Sequence, residues 1–212
     1  TGTLDPLAQG VLPVLIGKGT LCSKYLVNHN KKYRVELRLG KRTETLDAEG
    51  KILEEKEVPE ELLEKSNIEN IRKILKKFEG QIEQLPPMYS AIKVKGKKLY
   101  EYARKGQEVE IPTRKITIYS IELVEILKDE NLIIFDVSCS KGTYIRTLCE
   151  DIATSLKTIG YMQNLLRLQV GDFNVKDSIT LTMETEKDLE IIEKNIISVE
   201  KIFIKYPKLD IE

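Results

Sequence analysis

Thr1-Gly2-Thr3-Leu4-Asp5-Pro6-Leu7-Ala8-Gln9-Gly10 opens the chain and is its most informative stretch. Asp5 stands directly before a proline, and a residue in that position is shifted from the α region towards extended geometry. Gly2 and Gly10 permit tight turns and close backbone approach on either side. We therefore expect Asp5 on an irregular loop, either as a turn residue or as a reactive carboxylate.

The segments that follow mix strand and helix patterns. Apolar runs and period-two alternation predict strands at 12–16, 33–39, 43–47, 51–58, 90–94, 115–127, 132–139 and 161–170. Helical spacing predicts helices at 20–27, 68–78, 98–104, 145–156 and 187–195, with Thr143 as the N-cap of the fourth. Because there is no regular βαβ alternation, the predicted class is α+β, with a largely antiparallel mixed sheet and flanking helices.

The composition bounds the class of protein. The chain has 212 residues, of which 41% are hydrophobic and 32% charged, enough for a sizeable core. No apolar run approaches the ~20 residues of a membrane span, and no signal peptide begins the chain. Three scattered cysteines (Cys22, Cys139, Cys149) indicate a reducing compartment, so we expect a cytoplasmic protein. The lone His29, expected at an exposed helix end, makes no metal site.

Charge is separated along a chain that is neutral overall. There are 34 basic and 34 acidic residues. Residues 93–106, which we call the basic segment, carry six basic residues and one acidic residue, and they interleave with Tyr100 and Tyr102. Residues 54–64 carry six glutamates and one lysine. The basic segment is either a solvated face or a surface that follows nucleic-acid phosphates.

Residues 2–13 resemble, over twelve consecutive positions, the catalytic motif of the TruB family of bacterial tRNA pseudouridine synthases. Further segments resemble the family in the same order: Lys31-Lys32-Tyr33-Arg34-Val35, residues 87–93 and 99–104, residues 139–146, and Leu165-Leu166-Arg167 followed by Gly171-Asp172-Phe173. The family often has paired arginines where this chain has Leu166-Arg167. It also usually carries a Lys-Pro-Gly segment and a Gly-His pair upstream of the opening motif.

This resemblance implies a role for each matched residue. Asp5 is the catalytic nucleophile, Arg146 its partner, and Tyr33 the ring that stacks on the target base. Tyr144 and Lys141 contribute to the substrate pocket, and Leu165 packs against the uracil. RNA-backbone contacts are expected from Lys31, Lys32, Lys93, Lys97, Lys98 and Arg104. The resemblance further implies a pseudouridine synthase fold and a monomer.

The implied organisation is a catalytic domain at 1–181 whose N-terminal segment is missing. Residues 182–212 are the expected start of a truncated accessory RNA-binding region. The implied reaction is isomerisation of uridine 55 in the TΨC loop of tRNA to pseudouridine. The N-glycosidic bond breaks, the base rotates, and a C–C bond forms. Nothing is imported, so no cofactor or metal is expected. An ionised carboxylate suits the nucleophile, and a guanidinium in the first turn of a helix can aim it through a bidentate pair.

Two other functions fit parts of the sequence. A non-catalytic RNA-binding or tRNA-folding module could keep the same scaffold. A glycoside hydrolase would need a second carboxyl group across the scissile bond from Asp5. Asp47 and Asp151 are the candidates for that group.

Overall fold

The computed structural model describes residues 2–181 and 185–204. The strands of this part of the chain are β1 (Gln9–Gly10), β2 (Lys31–Leu39), β3 (Lys41–Thr43), β4 (Ile52–Glu55), β5 (Gly80–Gln84), β6 (Lys93–Val94), β7 (Lys97–Lys98), β8 (Arg114–Leu127), β9 (Leu132–Cys139), β10 (Gly160–Val170) and β11 (Phe173–Asn174). The α-helices are α1 (Ser23–Leu26), α2 (Ile68–Lys76), α3 (Leu99–Ala103), α4 (Ile145–Ser155), α5 (Thr185–Asn195) and α6 (Val199–Ile202).

A mixed sheet of seven strands organises the described residues. Its order is β1-β10-β2-β9-β8-β5, and β11 pairs with β10. β1 runs parallel to β10, and the other pairs of this sheet are antiparallel. The predicted α+β class with a largely antiparallel sheet is therefore confirmed.

The central strands follow the period-two pattern of the sequence. Val35, Leu37 and Leu39 of β2 are fully buried on one face, and Tyr33 shares that face because side chains alternate along a strand. β8 and β9, predicted as strands at 115–127 and 132–139, form a hairpin whose turn ends at Asn131 with φ 50°. Asn tolerates this left-handed conformation better than most residues. The alternation thus places Tyr33 at the edge of the core.

Helices α2 and α4 cover the apolar face of the sheet. Ile71 and Leu75 of α2 are buried, as are Leu148 and Ile152 of α4. Burying one such side chain contributes roughly 1.5–3 kcal/mol. This core fixes α4 against β2 and β10, and so fixes the helix that carries Arg146.

The predicted strand at 12–16 is wrong. This segment is irregular, and Leu12, Val14 and Ile16 are 47%, 72% and 62% exposed. The parallel pairing of β1 with β10 ends at Val11, directly before this segment. Pro13 has no amide proton to donate to a further strand pairing. An apolar run alone therefore does not indicate a buried strand here.

Other boundaries differ for local reasons. The segments predicted at 51–58 and 90–94 shorten to β4 and β6. The strand predicted at 43–47 is displaced: β3 covers Lys41–Thr43, and residues 44–46 form a turn in which Leu46 adopts φ 62°. β5 was missed because Ile82 is its one apolar side chain. Thr143 is not the N-cap of α4, because its hydroxyl donates to the Ser140 carbonyl and Tyr144 holds the cap position.

Two helices, α5 and α6, end the described part of the chain. The predicted helix at 187–195 is observed as α5, and Phe203 packs edge-on against Tyr25 with ring centroids 5.5 Å apart. Residues 182–184 and 205–212, which belong to the predicted accessory region, fall outside the described residues. Within the described ranges, none of the helices has the length and apolar character needed to cross a bilayer.

Candidate active site

The loop that carries Asp5 is short and anchored at its far end. The Ala8 amide donates to the Asp5 carbonyl at 2.9 Å, which closes a turn at Pro6-Leu7. Directly after it, β1 pairs with Leu166 and Arg167 of β10. Asp5 is thus presented from an irregular loop over the sheet, as its position before proline predicted.

Asp5 and Arg146 form a two-point ion pair. Arg146 Nε lies 3.0 Å from Asp5 Oδ2, and Nη2 donates to Oδ1 at 3.4 Å. The Arg146 side chain is 8% exposed, whereas that of Asp5 is 37% exposed. The guanidinium fork therefore fixes the carboxylate in orientation while one side of it stays open to solvent.

Arg146 is itself held from behind. Nη1 donates to the Thr45 carbonyl at 3.2 Å and Nη2 to the Tyr89 carbonyl at 3.0 Å, and Nη1 lies 3.4 Å from Oδ2 of the buried Asp47. Arg is charged at any accessible pH, so these acceptors stabilise it in the interior. The buried guanidinium joins two carboxylates, one inside and one facing solvent.

Neither carboxylate proposed for a hydrolase takes that role. Oδ1 of Asp47 accepts from the Thr45 hydroxyl and the Glu49 amide, and Oδ2 faces Arg146. Both carboxylate oxygens of Asp47 thus already have partners inside the protein. Asp151 lies five residues beyond Arg146 on α4, which places it about 140° around the helix. The sequence had not predicted Asp47 as the inner partner of Arg146; its position after the Leu46 turn offers no local signal.

Tyr33 lies beside Asp5 and Arg167. Burial raises the pKa of Tyr33 to about 12; Cys139 and the Asp5 carboxylate act in the same direction, and the positive charge of Arg167 opposes them. The hydroxyl therefore remains protonated near neutral pH. Tyr33 can offer its ring face and a hydroxyl donor, but not a phenolate.

Leu165, Tyr144 and Lys141 occupy three different environments. Leu165 is 5% exposed and belongs to the core cluster against which Tyr33 packs. Tyr144 is half-buried at the start of α4, where its backbone N–H and C=O both bond the Gln84 side chain. Lys141 is exposed, and its ammonium donates to Asn28 Oδ1 at 2.6 Å. The strand register places Leu165 two residues from Arg167, which in turn pairs with Tyr33.

The predicted RNA-backbone lysines form two groups. Lys31 and Lys32 line a polar groove of about 510 Å³ with Asn28, Gln169 and their neighbours. Burial lowers the pKa of Lys31, whose ammonium donates to the His29 carbonyl at 2.7 Å. His29 is half-buried against Gly171, so the expectation of an exposed His29 is wrong.

The second group belongs to the basic segment. Lys93 and Lys97 are exposed on the paired strands β6 and β7. Lys98 and Arg104 both stand 5.3 Å from the centroid of the Tyr100 ring. The segment thus presents cations around an aromatic ring, a combination found in nucleic-acid binding surfaces.

Arg167, in the last segment of the resemblance, is buried rather than exposed. It is 1% exposed, and its guanidinium bonds backbone carbonyls inside the protein. The side chain therefore cannot reach an RNA phosphate at the surface. Its importance was missed because nothing in the sequence distinguishes a buried arginine from a surface one.

The remaining chemistry of the site is that of carboxylate and guanidinium. Within the described residues, no three His, Cys, Asp or Glu side chains cluster in a way that could hold a metal ion. The arrangement offers a partly exposed, oriented carboxylate next to an aromatic ring. It suits nucleophilic attack on a planar substrate that can stack.

Comparison with known proteins gives the family. Residues 1–145 match the model described as TruB family pseudouridylate synthase (N terminal domain), and residues 146–202 match tRNA pseudouridylate synthase B C-terminal domain. The tRNA pseudouridine synthase B of Caldanaerobacter subterraneus subsp. tengcongensis is 48% identical over the whole chain, and that of Clostridium kluyveri is 50% identical. The chain spans 70% of the length of both relatives.

Solved structures show the same fold. A Cbf5-Nop10-Gar1 complex matches 92% of the chain with a TM-score of 0.63 and 29% identity. An H/ACA RNP bound to a substrate RNA containing 2′-deoxyuridine matches 94% with a TM-score of 0.60 and 25% identity. The chain spans 47% of the matched chain in each. On both family models and on relatives aligned over its full length, the chain belongs to the TruB family of pseudouridylate synthases, and the resemblance of its opening motif is confirmed.

Proposed function

We propose that the protein converts uridine 55 in the TΨC loop of tRNA to pseudouridine, with Asp5 as the nucleophile. The observation that carries the proposal is the two-point pair between the partly exposed Asp5 and the buried Arg146. The names of the relatives, tRNA pseudouridine synthase B, support the substrate.

The reaction exchanges bonds within one nucleotide. The bond between uracil N1 and ribose C1′ breaks, and a bond between uracil C5 and C1′ forms. The proton on C5 is released, and N1 gains a proton. Because atoms and electrons balance without a co-reactant, the chemistry needs no cofactor or metal. It needs a nucleophile that keeps the fragments together during base rotation, and Asp5 is oriented for that task.

The target base must leave the RNA stack to reach Asp5. Unstacking costs a few kcal/mol, and stacking on an aromatic side chain recovers about 1–3 kcal/mol per base. We assign the stacking face to Tyr33 and the surrounding walls to Tyr144 and Leu165. A protonated Tyr33 suits this role, because a neutral hydroxyl beside Asp5 adds no repulsion.

The RNA backbone is assigned to the two basic groups. Lys31 and Lys32 lie directly before Tyr33 on β2, and the basic segment supplies Lys93, Lys97, Lys98 and Arg104, with Lys141 at the pocket. RNA is read mainly through shape, flipped bases and 2′-hydroxyls, which suits a folded tRNA loop. We propose that the protein acts as a monomer in the cytoplasm, where tRNA is available.

Tritium release tests this function. Unmodified tRNA labelled with tritium at uracil C5 is incubated with the protein, with Asp5→Asn, and with Asp177→Asn as a matched change at an exposed carboxylate. We expect the unmodified protein and Asp177→Asn to release tritium and Asp5→Asn to release none. A tRNA with cytidine at position 55 should give no release.

Each other outcome identifies a different function. Binding of tRNA without tritium release by the unmodified protein would indicate an RNA-binding or tRNA-folding module. Free uracil would indicate a hydrolase. Release from the cytidine-55 tRNA would contradict the assigned position.

A further inference from the structure

Arg167 is a buried arginine whose described partners are not carboxylates. Its side chain is among the largest that are fully buried. Nε donates to the Val11 carbonyl at 2.8 Å, and Nη1 and Nη2 donate to the Gly2 carbonyl at 3.3 and 3.2 Å. Tyr33 lies opposite Arg167 in the β2–β10 ladder, and the positive charge of Arg167 acts to lower the pKa of the Tyr33 hydroxyl. Burying a charge is costly unless its donors are satisfied, and here the acceptors come from both ends of one loop.

The backbone of Arg167 holds the same loop. The Val11 amide donates to the Arg167 carbonyl at 3.0 Å, and Gly10 pairs with Arg167 in the parallel ladder. A Cβ atom on Gly10 would stand 2.2 Å from the Arg167 oxygen, so the two backbones are as close as glycine allows. One residue therefore fixes the segment from Gly2 to Val11 at its beginning and at its end.

Asp5 lies between these two fixed points. We propose that Arg167 is a positioning residue that clamps the loop of residues 2–11 and so sets Asp5 against Arg146 and Tyr33. The reaction readout rests on the proposed function; the loop geometry does not. A displacement of about 1 Å in a reacting group can cost on the order of a hundredfold in rate.

A lysine cannot replace this clamp. The guanidinium reaches Gly2 and Val11 through separate nitrogens of a rigid fork, whereas an ammonium is a single point donor on a flexible stem. Arg167→Lys keeps the charge and removes the two-ended geometry. Arg167→Gln removes the charge as well and avoids an unsatisfied buried cation.

The test measures chemistry and binding separately. We expect Arg167→Lys to lower the single-turnover rate of tritium release at saturating tRNA by about a hundredfold, with the Kd for tRNA within about threefold, because positioning acts on the chemical step. Leu75→Ala, a cavity in α2 away from the loop, is the control for general destabilisation. A rate equal to that of the unmodified protein, a rate loss matched by Leu75→Ala, or a parallel loss of tRNA binding would overturn the clamp.

Hydrogen exchange tests the clamp without an activity measurement. In the unmodified protein, amides of residues 2–11 should exchange more slowly than those of the exposed segment 12–16. Arg167→Lys and Arg167→Gln should each speed exchange in residues 2–11 while β2 and α4 stay protected. Equal exchange of 2–11 and 12–16 in the unmodified protein refutes the clamp even if both variants fail to fold. If the unmodified protein releases no tritium, the proposed function fails and exchange still answers this question.

Discussion

Arg146 is the side chain with the most contacts among the groups around Asp5. It is buried, it contacts the carboxylates of Asp5 and Asp47, and it donates hydrogen bonds to two backbone carbonyls. A surface ion pair is worth about 0–1 kcal/mol, but removing one partner of a buried pair costs about 3–5 kcal/mol. Arg146 therefore links the stability of the core to the orientation of Asp5.

Arg146→Ala should abolish turnover and leave tRNA binding within about tenfold, because the guanidinium acts on Asp5 rather than on the RNA backbone. Single-turnover tritium release and filter binding measure the two quantities. Arg42→Ala, which removes an exposed arginine paired with Glu150, is the control and should change neither. Weaker binding with normal chemistry on the bound fraction would show that Arg146 is not the partner of Asp5.

Secondary-structure elements place these side chains, and the two-residue strand β1 depends on the glycine at its second position. β1 has two residues, and Gly10 adopts φ 112°, a conformation that L side chains rarely take. The parallel pairing of β1 with β10 thus depends on Gly10 having no side chain. The loop that carries Asp5 can therefore pair with β10 this closely only if residue 10 is a glycine.

Gly10→Ala should destabilise the fold and reduce turnover, because its Cβ would collide with the Arg167 backbone. Gly106→Ala is the matched control, since Gly106 also has a positive φ, 60°, but open space around it. Thermal unfolding and tritium release should both separate the two variants. Similar losses in both would mean that backbone strain, not the close approach, dominates.

Helix α4 carries an unfavourable carboxylate near its middle. Burial, and secondarily Glu150, raises the pKa of Asp151 from its ordinary value of 3.8 to about 6. A raised pKa in the folded state means that its favourable contribution is present below pH 3.8 and is lost as the pH rises through 6. Near neutral pH, the charged Asp151 therefore weakens the helix.

Asp151→Asn should raise the free energy of unfolding more at pH 8 than at pH 4.5. The difference between the two gains should be ~1 kcal/mol after allowance for partial exposure. Urea unfolding of both proteins at the two pH values measures this difference. The same comparison with Asp177→Asn, an exposed carboxylate, should show little pH dependence. A gain that is equal at both pH values would assign the effect to helix propensity instead.

The molecule as a whole separates its charges despite a net charge of zero. Glu60 and Glu64, within the acidic residues 54–64, pair with Lys128, which lies outside the basic segment. We therefore expect electrostatic attraction for RNA to come from a local surface rather than from the total charge. Salt dependence should report that surface directly.

The double variant Lys93→Gln with Lys97→Gln should reduce the slope of log Kd against log salt for tRNA by about 1.5, since each lost phosphate contact removes ~0.7–0.9. Lys65→Gln with Lys73→Gln changes two exposed lysines around α2 and is the control. Filter binding across a salt series measures both. An equal change of slope in the two double variants would assign binding to general charge.

Periodic patterns in the sequence predicted the elements that bury a regular face. β2, the β8–β9 hairpin, α2 and α4 follow their patterns because packing on one side of a helix or strand imposes the period. The opening motif predicted an irregular loop for Asp5 because Pro6 and the flanking glycines act locally. These features depend on neighbours in the chain, so they could be read from it.

The positions of Asp47 and Arg167 depended on the tertiary structure. Asp47 reaches Arg146 across 99 positions of sequence, and Arg167 reaches Gly2 across 165, so no local pattern records either contact. The same holds for residues 12–16, whose apolar run predicted a strand although no neighbouring strand pairs with it in the described residues. The sequence alone determined the irregular loop that carries Asp5, while folding decided which buried groups hold that loop and its carboxylate, because burial and long-range pairing arise only when distant segments meet.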